Sequence, residues 1–459
     1  MHPPWPGAKL AVIMTFISAN RRYFSTAALS LSKNHAHKIA VVGGGASGVF
    51  ASIAAAEQEN TQVTVLEATG KTLQKVKISG GGRCNVMHDT SKSIPTILSQ
   101  YPRGNKELNG LFQKRFSPTM ARDWFEHRGV ELKTEEDGRM FPITDSSQTI
   151  MDTLMNTALD EGVDIRMRQK VNAIVRRDED DAFSIQFKDG SEEQFSAIIL
   201  ATGSSATGYV LAESLGHKLV SPVPSLFTFN CKHEIKEGGL LHGLSGISVP
   251  SARVSLSKKQ FQEGPLLVTH HGLSGPAVLR LSAFGAREFK EMNYRGKVTI
   301  NWDTSMDNAE QIFEELWKVT SSNPKRSVSS ACPLPNNSIP RRLWSSLVSF
   351  SGFAPDSLWG NAPKKLVRKL ANNLITCPIE FTGKGTFKEE FVTAGGVNLK
   401  EINMKNMESK KCPGLFLCGE IINVDGVTGG FNFLNCWGTG FVAGHGAADY
   451  CREHKIEFQ

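Results

Sequence analysis

The sequence has no C-x-x-C pair, although it contains eight cysteines. The closest two, Cys412 and Cys418, have five residues between them. Because structural zinc sites and disulfide frameworks need several cysteines at short, regular spacings, the sequence predicts neither. We therefore expect no metal site, and we expect most of the cysteines to be buried, reduced thiols.

Long hydrophobic runs are also missing. A helix that crosses a membrane needs roughly 18 to 20 apolar residues, whereas the longest candidate, residues 10–18, is far shorter. We expect no membrane span. A chain of 459 residues, 40% of them hydrophobic, can still bury a large core, which predicts a globular protein of several packed units.

Acidic residues are absent before Glu57, whereas the first 37 residues carry four basic ones. This segment is rich in Ser and Ala, a composition typical of an organelle transit peptide. Arg22 stands shortly before Ser25, which resembles a mitochondrial processing site, so residues 1–37 predict a mitochondrial protein. A chloroplast protein is the alternative because the two kinds of leader overlap in composition. A further alternative is an N-terminal tail that has no targeting function.

An excess of positive charge is lacking in the rest of the chain. Four of the 52 basic residues lie in the leader, so the remainder carries 48 basic and 45 acidic residues. Nucleic-acid binding would favour a clustered basic face, which this balance does not indicate. We expect a small-molecule substrate and no nucleic acid, and the sequence does not indicate an oligomeric state.

A βαβ unit follows the leader, with the sequence KIAVVGGGASGVFASIAAAEQENTQVTVLE from Lys38 to Glu67. Gly43 suits the tight turn, Gly45 the close approach of a pyrophosphate, and Gly48 the packing of helix on sheet. The helix begins at Ala46-Ser47, whose N–H groups are free for phosphates. Glu67, 19 residues after Gly48, is placed to bind the adenosine ribose. This unit predicts FAD or NAD and disfavours NADP.

Two later segments also have features typical of a cofactor-binding site. A strand ends in the small residues Ala201, Thr202 and Gly203, and an apolar strand at 415–418 leads into Gly419-Glu420, a glycine loop and a helix. The N-terminus of such a helix stabilises the negative charge of a reduced flavin, which favours FAD.

The remaining segments have different patterns. Residues 183–188 and 195–200, joined through a turn at Asp189-Gly190, predict a hairpin. Short apolar runs between 219 and 300 predict a β-rich unit, and helical spacing recurs at 307–319, 343–350 and 364–374.

Several motifs together resemble one known family. VVGGGASG, ISGGGRCNV, GRMFPITDSSQTI, IILATG, LLVTHHGLSGPAVLRLS, FVTAGGVNLKEIN, MESK, PGLFLCGE and VTGGFN occur in the order typical of the BaiN-like FAD-dependent oxidoreductases. The resemblance implies an α/β fold, with a Rossmann-type FAD-binding domain formed by both chain ends and inserted β-rich and helical subdomains. The resulting division is a transit peptide at 1–37, an FAD-binding domain at 38–218 and 390–459, a β-rich substrate subdomain at 219–302 and 376–389, and a helical insertion at 303–375.

The resemblance also implies which residues lie at or near FAD. Val171 would offer its backbone to the adenine, and the glycines beside Arg83 would let backbone N–H groups reach the cofactor. The full set is Gly43, Gly45, Ala46, Ser47, Gly48, Glu67, Gly81, Arg83, Cys84, Asn85, Val171, Ala201, Thr202, Gly203, Gly419, Glu420, Gly429, Gly430, Phe431 and Asn432.

Two members of this set have alternative interpretations. Arg83 can offset phosphate charge, or it can be an ordinary surface ion-pair partner. Cys84 has no second cysteine before Cys231, which argues against a redox dithiol and favours a single thiol packed beside the cofactor. Pairing of Cys84 with Cys436 is left open.

The candidates for catalysis are His270 and Arg139. His270, in THHGLSGP, can orient a carbonyl or carry a proton, and Arg139, in GRMFP, can bind a carboxylate at two oxygens. A structural histidine and a structural arginine are the alternatives. The chain departs from the family after the ATG motif, where residues 204–209 are shorter, and at Phe431, where the family commonly has Tyr.

We therefore predict an FAD-dependent oxidoreductase that exchanges a hydride between flavin N5 and a small organic substrate. The chain has no second dinucleotide motif, so NADH or NADPH would act, if at all, as a reductant that docks transiently. The alternatives are a flavin-binding sensor or assembly protein without turnover, and an FAD-dependent RNA-modifying enzyme.

Overall fold

The computed structural model describes residues 37–177, 181–335, 337–385 and 392–454. Most of the predicted transit peptide lies outside these residues. The strands are β1 (His37–Val42), β2 (Thr61–Glu67), β3 (Met87–His88), β4 (Leu132–Thr134), β5 (Arg139–Pro142), β6 (Asp164–Met167), β7 (Val171–Arg177), β8 (Ala182–Phe187), β9 (Glu192–Phe195), β10 (Ala197–Leu200), β11 (Leu219–Ser225), β12 (Phe229–Asn230), β13 (Ser248–Ser257), β14 (Gln260–Val268), β15 (Gly272–Ser274), β16 (Gly296–Asn301), β17 (Cys377–Phe381), β18 (Gly383–Lys384), β19 (Val392–Val397), β20 (Ile402–Asn403), β21 (Glu408–Ser409) and β22 (Leu415–Leu417).

The α-helices occur between these strands and at the end of the described chain. They are α1 (Ala46–Ala56), α2 (Gln74–Gly82), α3 (Ile94–Leu98), α4 (Asn105–Lys114), α5 (Pro118–Glu126), α6 (Ser147–Asp160), α7 (Ala206–Ser214), α8 (Pro276–Phe284), α9 (Ala286–Glu291), α10 (Ala309–Ser322), α11 (Arg341–Phe350), α12 (Lys364–Ile375) and α13 (Phe431–His454). Short 3-10 helices lie at Trp359–Asn361, Leu399–Glu401 and Gly419–Ile421.

A seven-stranded sheet with the order β20-β21-β22-β10-β1-β2-β6 forms the centre of the first unit. The strands from β22 to β6 are parallel, and β1 pairs with β2 and β10. The run IAVV in β1 is buried throughout, because helices cover both faces of a parallel sheet. Strands from both ends of the described chain build this sheet, which confirms the predicted α/β class with a Rossmann-type sheet.

A second seven-stranded sheet has the order β17-β16-β13-β14-β15-β12-β18 and is antiparallel. Its hydrophobic core is continuous with the buried faces of α10, α11 and α12 and is distinct from the core around the parallel sheet. The exact domain boundaries stay a prediction. Within the described ranges, no helix is both long enough and apolar enough to cross a membrane.

Candidate functional site

The turn between β1 and α1 contains three glycines that are needed for different structural reasons. Gly43 has φ +113°, and its N–H donates to the carbonyl of Leu66 at 2.9 Å. A Cβ on Gly48 would lie 1.9 Å from the carbonyl oxygen of Gly43, so Gly48 is required by packing. A Cβ on Gly45 would meet no protein atom within 4 Å. The turn therefore leaves open space at the start of α1.

The start of α1 also presents unused donors. Gly45 provides no side-chain cap, and the first described hydrogen bond of the helix runs from the Val49 N–H to the Gly45 carbonyl. The Ala46 N–H has no acceptor among the described residues, whereas the Ser47 N–H faces the Cys436 thiol. Free N–H groups at a helix N-terminus, facing open space, suit a pyrophosphate.

Glu67 lies at the end of β2, beside the same turn. Its carboxylate accepts hydrogen bonds from the N–H groups of Gly44 at 2.8 Å and Thr69 at 2.7 Å. The N–H of Gln169 donates to the Glu67 carbonyl at 2.9 Å, which brings the start of β7, at Val171, near this end of the sheet. Glu67 and Val171 thus lie near the same end of the parallel sheet as the glycine turn, and their roles at the ribose and the adenine stay a prediction.

The triple glycine belongs to a loop at the end of α2. Gly80 and Gly81 have φ of +57° and +70°, and the Cβ of Gly81 would meet no protein atom within 4 Å. Arg83, next in the chain, forms ion pairs with Glu135 at 2.7 Å and Asp145 at 3.4 Å, and it lies 4.0 Å from the ring centre of Phe141. The structure thus gives Arg83 the ion-pair partners of the alternative interpretation.

Cys84 is fully buried, and burial raises the pKa of its thiol to about 12. It is therefore a protonated thiol at neutral pH, not a reactive thiolate. All eight cysteines are free, so Cys84 and Cys436 form no disulfide. No group of three or more His, Cys, Asp or Glu side chains within the described part of the chain is arranged to hold a metal.

Two loops that are far apart in sequence meet at Asn85. Its side-chain amide, oriented to satisfy both of its polar atoms, donates to the Met87 carbonyl at 3.1 Å and accepts from the Gly430 N–H at 2.9 Å. The Asn432 side chain accepts from the Gly426 N–H at 2.9 Å and donates to the Gly426 carbonyl at 2.8 Å. The glycine loop before α13 is thus held from both sides.

The third part of the site lies where β10 and β22 end. The Lys75 ammonium is 2.5 Å from the Glu420 carboxylate, which also accepts from the Thr393 N–H at 3.1 Å. A Cβ on Gly203 would lie 3.8 Å from the same carboxylate. The ends of β10 and β22, and the helix that follows β2, therefore converge on Glu420.

Two buried hydroxyls near these strand ends lack partners. Thr202 Oγ1 and the Tyr209 hydroxyl form no hydrogen bond with a described residue. Burial, and secondarily the charge of Glu420, raise the pKa of Tyr209, so the phenol stays protonated. A buried unpaired hydroxyl costs free energy unless a ligand satisfies it. Together with the open space at Gly45 and Gly81, these atoms fit a bound FAD.

Sequence reasoning did not single out Lys75, Tyr209 or His88 as site residues. Lys75 stands four positions before the SGGGRCN motif, and Tyr209 lies in α7, which follows the ATG motif. Only the fold shows that the first two approach Glu420. His88 follows the same motif, and its Nδ1 is 3.1 Å from the Gly429 carbonyl oxygen.

The two predicted catalytic residues are not in one place. His270 is exposed and lines a cavity of about 500 Å³ at the antiparallel sheet. Arg139 does not line it; its guanidinium is 2.8 Å from Glu135 and 2.7 Å from Asp137. The cavity is lined by Thr228, Asn230, Ser245, Gly246, Leu267, Val268, Thr269, His270, His271, Ser274 and Gly385.

Comparison with known proteins identifies relatives along nearly the whole described chain. Residues 37–446 match the family described as HI0933-like protein Rossmann domain. The ribosomal RNA dihydrouridine synthase of Escherichia coli is 28% identical over 411 residues, which cover 88% of this chain and 96% of that protein. The 3-dehydro-bile acid delta(4,6)-reductase of Clostridium scindens is 28% identical over 432 residues, covering 90% and 99%.

Solved structures give a more distant likeness. The 3-ketosteroid-delta4-(5alpha)-dehydrogenase of Rhodococcus jostii RHA1, solved with 4-androstene-3,17-dione, is 17% identical, with a TM-score of 0.48. The comparison covers 90% of this chain and 97% of that one.

Proposed function

The chain belongs to the HI0933-like Rossmann family and is an FAD-dependent oxidoreductase, and from this premise we propose that it reduces carbon–carbon double bonds conjugated to a carbonyl group. The names of two relatives support this reaction. A dihydrouridine synthase and a delta(4,6)-reductase of a 3-dehydro-bile acid both saturate a double bond conjugated to a carbonyl, on very different molecules. The shared chemistry is what we transfer to this chain.

FAD, when bound and reduced, supplies the hydride at N5. The hydride pair forms a bond to the carbon farther from the carbonyl, and the electrons of the double bond move onto the carbonyl oxygen. A proton added to the nearer carbon then restores the carbonyl and completes the saturated product. The chain therefore has to provide a donor for the carbonyl oxygen and a source for the proton.

The observation that carries the proposal is the Tyr209 hydroxyl. It is buried, unpartnered within the described residues, and held protonated near Glu420 at the predicted FAD site. A neutral phenol in that state is a donor available to a carbonyl oxygen. His270, which lines the cavity at the antiparallel sheet, is a second candidate for holding the substrate. Arg139 would first have to break its ion pairs with Glu135 and Asp137. We therefore prefer Tyr209 and His270 as the groups that hold the substrate.

The reductant we propose is NADH or NADPH. The chain has one dinucleotide motif, at 43–48, so the nicotinamide would dock transiently instead of occupying a domain of its own. A uridine of RNA and a small conjugated ketone are the two candidate substrates, and the relatives' names favour each of them equally. A flavin-binding protein without turnover is the competing function.

An anaerobic spectral experiment tests the proposal. NADPH, or NADH, should bleach the visible absorbance of the bound flavin in the purified protein. Addition of cyclohexenone or of a uridine-containing oligonucleotide should then restore it, with one equivalent of saturated product. Tyr209→Phe should slow the second step and leave the first unchanged. A flavin that is bleached but is reoxidised by neither compound would contradict the proposed reaction, and a flavin that no nicotinamide bleaches would contradict the proposed reductant.

A further inference from the structure

The cavity beside His270 has unused hydrogen-bonding groups. The hydroxyls of Thr228, Ser245 and Ser274 and the imidazoles of His270 and His271 line it. None of these five groups forms a hydrogen bond with a described residue, and the two imidazole rings are 4.1 Å apart. A volume of about 500 Å³ lies within the range of small-molecule sites.

The lining has a consistent electrostatic character. Among the described residues that line it, none is Asp, Glu, Lys or Arg. Each of the two imidazole rings offers an N–H group that can donate a hydrogen bond to an anion. An anion beside the two rings would meet no carboxylate among the described lining residues. Helix α8, which begins at Pro276 without a side-chain cap, adds a weak positive potential close to Ser274.

The number of donors indicates the kind of anion. Three hydroxyls and two imidazoles offer up to five hydrogen bonds to an anion. A carboxylate accepts in a single plane, whereas a phosphate group presents its oxygens in a tetrahedron. The arrangement therefore suits a phosphate better than a carboxylate.

The cavity is connected to the glycine loop before α13, which is predicted to contact FAD. Thr228 follows Ser225 by three residues, at most about 11 Å of extended chain. The Ser225 hydroxyl donates to the Asp425 carboxylate at 3.0 Å, and Asp425 lies four residues before Gly429. The cavity and the glycine loop before α13 are therefore linked through the Ser225–Asp425 hydrogen bond.

We propose that this cavity binds a phosphate group of the molecule that reacts at the flavin. The inference rests on the proposed function, because it assigns that phosphate to the substrate or the reductant. A phosphate can come from an RNA that carries the reactive uridine or from the pyrophosphate of NADPH or NADH. In either case His270 and His271 bind an anion some distance from the reacting bond.

Isothermal titration of the oxidised holoprotein with inorganic phosphate, in a phosphate-free buffer, tests the site. We expect saturable binding that His270→Asn and His271→Asn each weaken, and that the double variant weakens on the order of 10-fold to 100-fold, the range for lost hydrogen bonds to a charged group. His127→Asn, at an exposed histidine outside the cavity, is the matched control and should bind phosphate like the wild type. The spectrum of bound flavin checks that each variant is folded.

Competition then identifies the source of the phosphate. Displacement by a uridine trinucleotide and not by NADPH or NADH would assign the cavity to an RNA substrate, and the reverse would assign it to the reductant. Absence of saturable binding, equal affinity in the double variant, or displacement by none of the three would overturn the proposal. The titration involves no turnover, so its failure is distinct from a failure to reduce a conjugated double bond.

Discussion

The imidazole of His88 stacks on the ring of Phe431, with the ring centres 4.5 Å apart and the planes inclined by 28°. Its Nδ1 also lies 3.1 Å from the carbonyl oxygen of Gly429. Burial lowers the pKa of His88, so the ring is neutral, and the tautomer with hydrogen on Nδ1 donates to that carbonyl. One side chain thus makes two contacts with the turn that leads into α13.

Substitutions at His88 can separate these two contacts. His88→Asn keeps a donor near the position of Nδ1, and His88→Phe keeps an aromatic ring on Phe431. Each should weaken FAD binding by about 1 kcal/mol, and His88→Ala should weaken it by about 2 kcal/mol, because the turn is then held by neither contact. FAD affinity can be measured by titrating the flavin-free protein. Equal affinity in His88→Ala and wild type would show that the turn needs no support from this side chain.

The ion pair between Arg103 and Asp425 holds the segment that leads into the same glycine loop. The Asp425 carboxylate is fully buried and accepts from the Arg103 guanidinium at both oxygens, and Arg103 also donates to the Ala283 carbonyl at 2.8 Å. Asp425→Asn should lower the free energy of unfolding by about 3 to 5 kcal/mol, because it leaves a buried guanidinium without its counter-charge.

Two further variants make this prediction specific. Ser225→Ala removes one hydrogen bond to Asp425 and should cost about 1 kcal/mol. Replacing both charges, with Arg103→Met and Asp425→Leu together, should cost less than Asp425→Asn alone. Chemical denaturation followed by tryptophan fluorescence provides the comparison. A loss in Asp425→Asn no larger than that in Ser225→Ala would rule out the stabilising role of the ion pair.

The parts of the fold that sequence could predict are those encoded locally. The unit predicted at 38–67 corresponds to β1, α1 and β2, and the helical spacing at 307–319, 343–350 and 364–374 corresponds to α10, α11 and α12. In each case the apolar period that predicts the element lies within about 20 residues of sequence.

The predicted hairpin shows where local patterns stop being sufficient. Its second strand was predicted at 195–200, but the strand that pairs with β8 is Glu192–Phe195. Residues Ala197–Leu200 instead join the parallel sheet beside β1, and the Ser196 N–H donates to the Lys38 carbonyl at the change of sheet. An apolar run is compatible with either sheet. Pairing with β1, which lies 158 positions earlier in the chain, determines which sheet this run joins.

The site depends even more on distant contacts. Lys75 and Glu420 are 345 positions apart, and Asn85 and Gly430 are equally far apart. Neither hydrophobic periodicity nor the spacing of motifs predicts such pairs. The glycine motifs predicted that these loops approach one cofactor, but the fold was needed to show that Arg83 is paired with Glu135 and that Tyr209 lies near Glu420.

A buried row of polar side chains joins β21 to the loop before β11. Ser409 Oγ is 2.8 Å from His217 Nε2, and His217 Nδ1 is 3.2 Å from the Glu401 carboxylate. Ser409 Oγ already accepts from the N–H groups of Lys411 and Cys412, so its own hydrogen is donated to Nε2. The hydrogen on Nδ1 is then donated to Glu401.

The row makes stability depend on pH through His217. Burial lowers the pKa of His217, so the folded protein keeps it neutral. An unfolded histidine titrates near about 6.5. As pH falls below that value, the unfolded chain takes up a proton that folded His217 does not. The contribution of His217 is therefore complete above about pH 6.5 and is lost as pH falls towards its folded pKa.

His217→Asn tests this dependence. At pH about 7.5 it should destabilise the protein by about 2 to 3 kcal/mol, because two buried hydrogen bonds are weakened. The difference from wild type should shrink by about 1 kcal/mol at pH about 5.5. Denaturation curves at both pH values give the two differences, and the exposed His127→Asn controls for the loss of a histidine as such. A difference that is the same at both pH values would contradict the assignment.

Two glycines of the first turn should respond to the same substitution in opposite ways. A methyl group on Gly48 would lie 1.9 Å from the Gly43 carbonyl oxygen, so Gly48→Ala has to displace backbone and should cost at least about 2 kcal/mol of stability. A methyl group on Gly45 would meet no protein atom within 4 Å, and Gly45 has φ −83°, which alanine adopts readily.

Gly45→Ala should therefore leave the unfolding temperature of the flavin-free protein almost unchanged and weaken FAD binding by about 10-fold or more. The physical reason is that the open space belongs to the cofactor, and a methyl group there keeps the pyrophosphate away from the N–H groups of Ala46 and Ser47. Thermal unfolding without flavin and FAD titration separate the two effects. Unchanged FAD affinity in Gly45→Ala would mean that the space at this turn is not where the pyrophosphate binds, whatever Gly48→Ala does to folding.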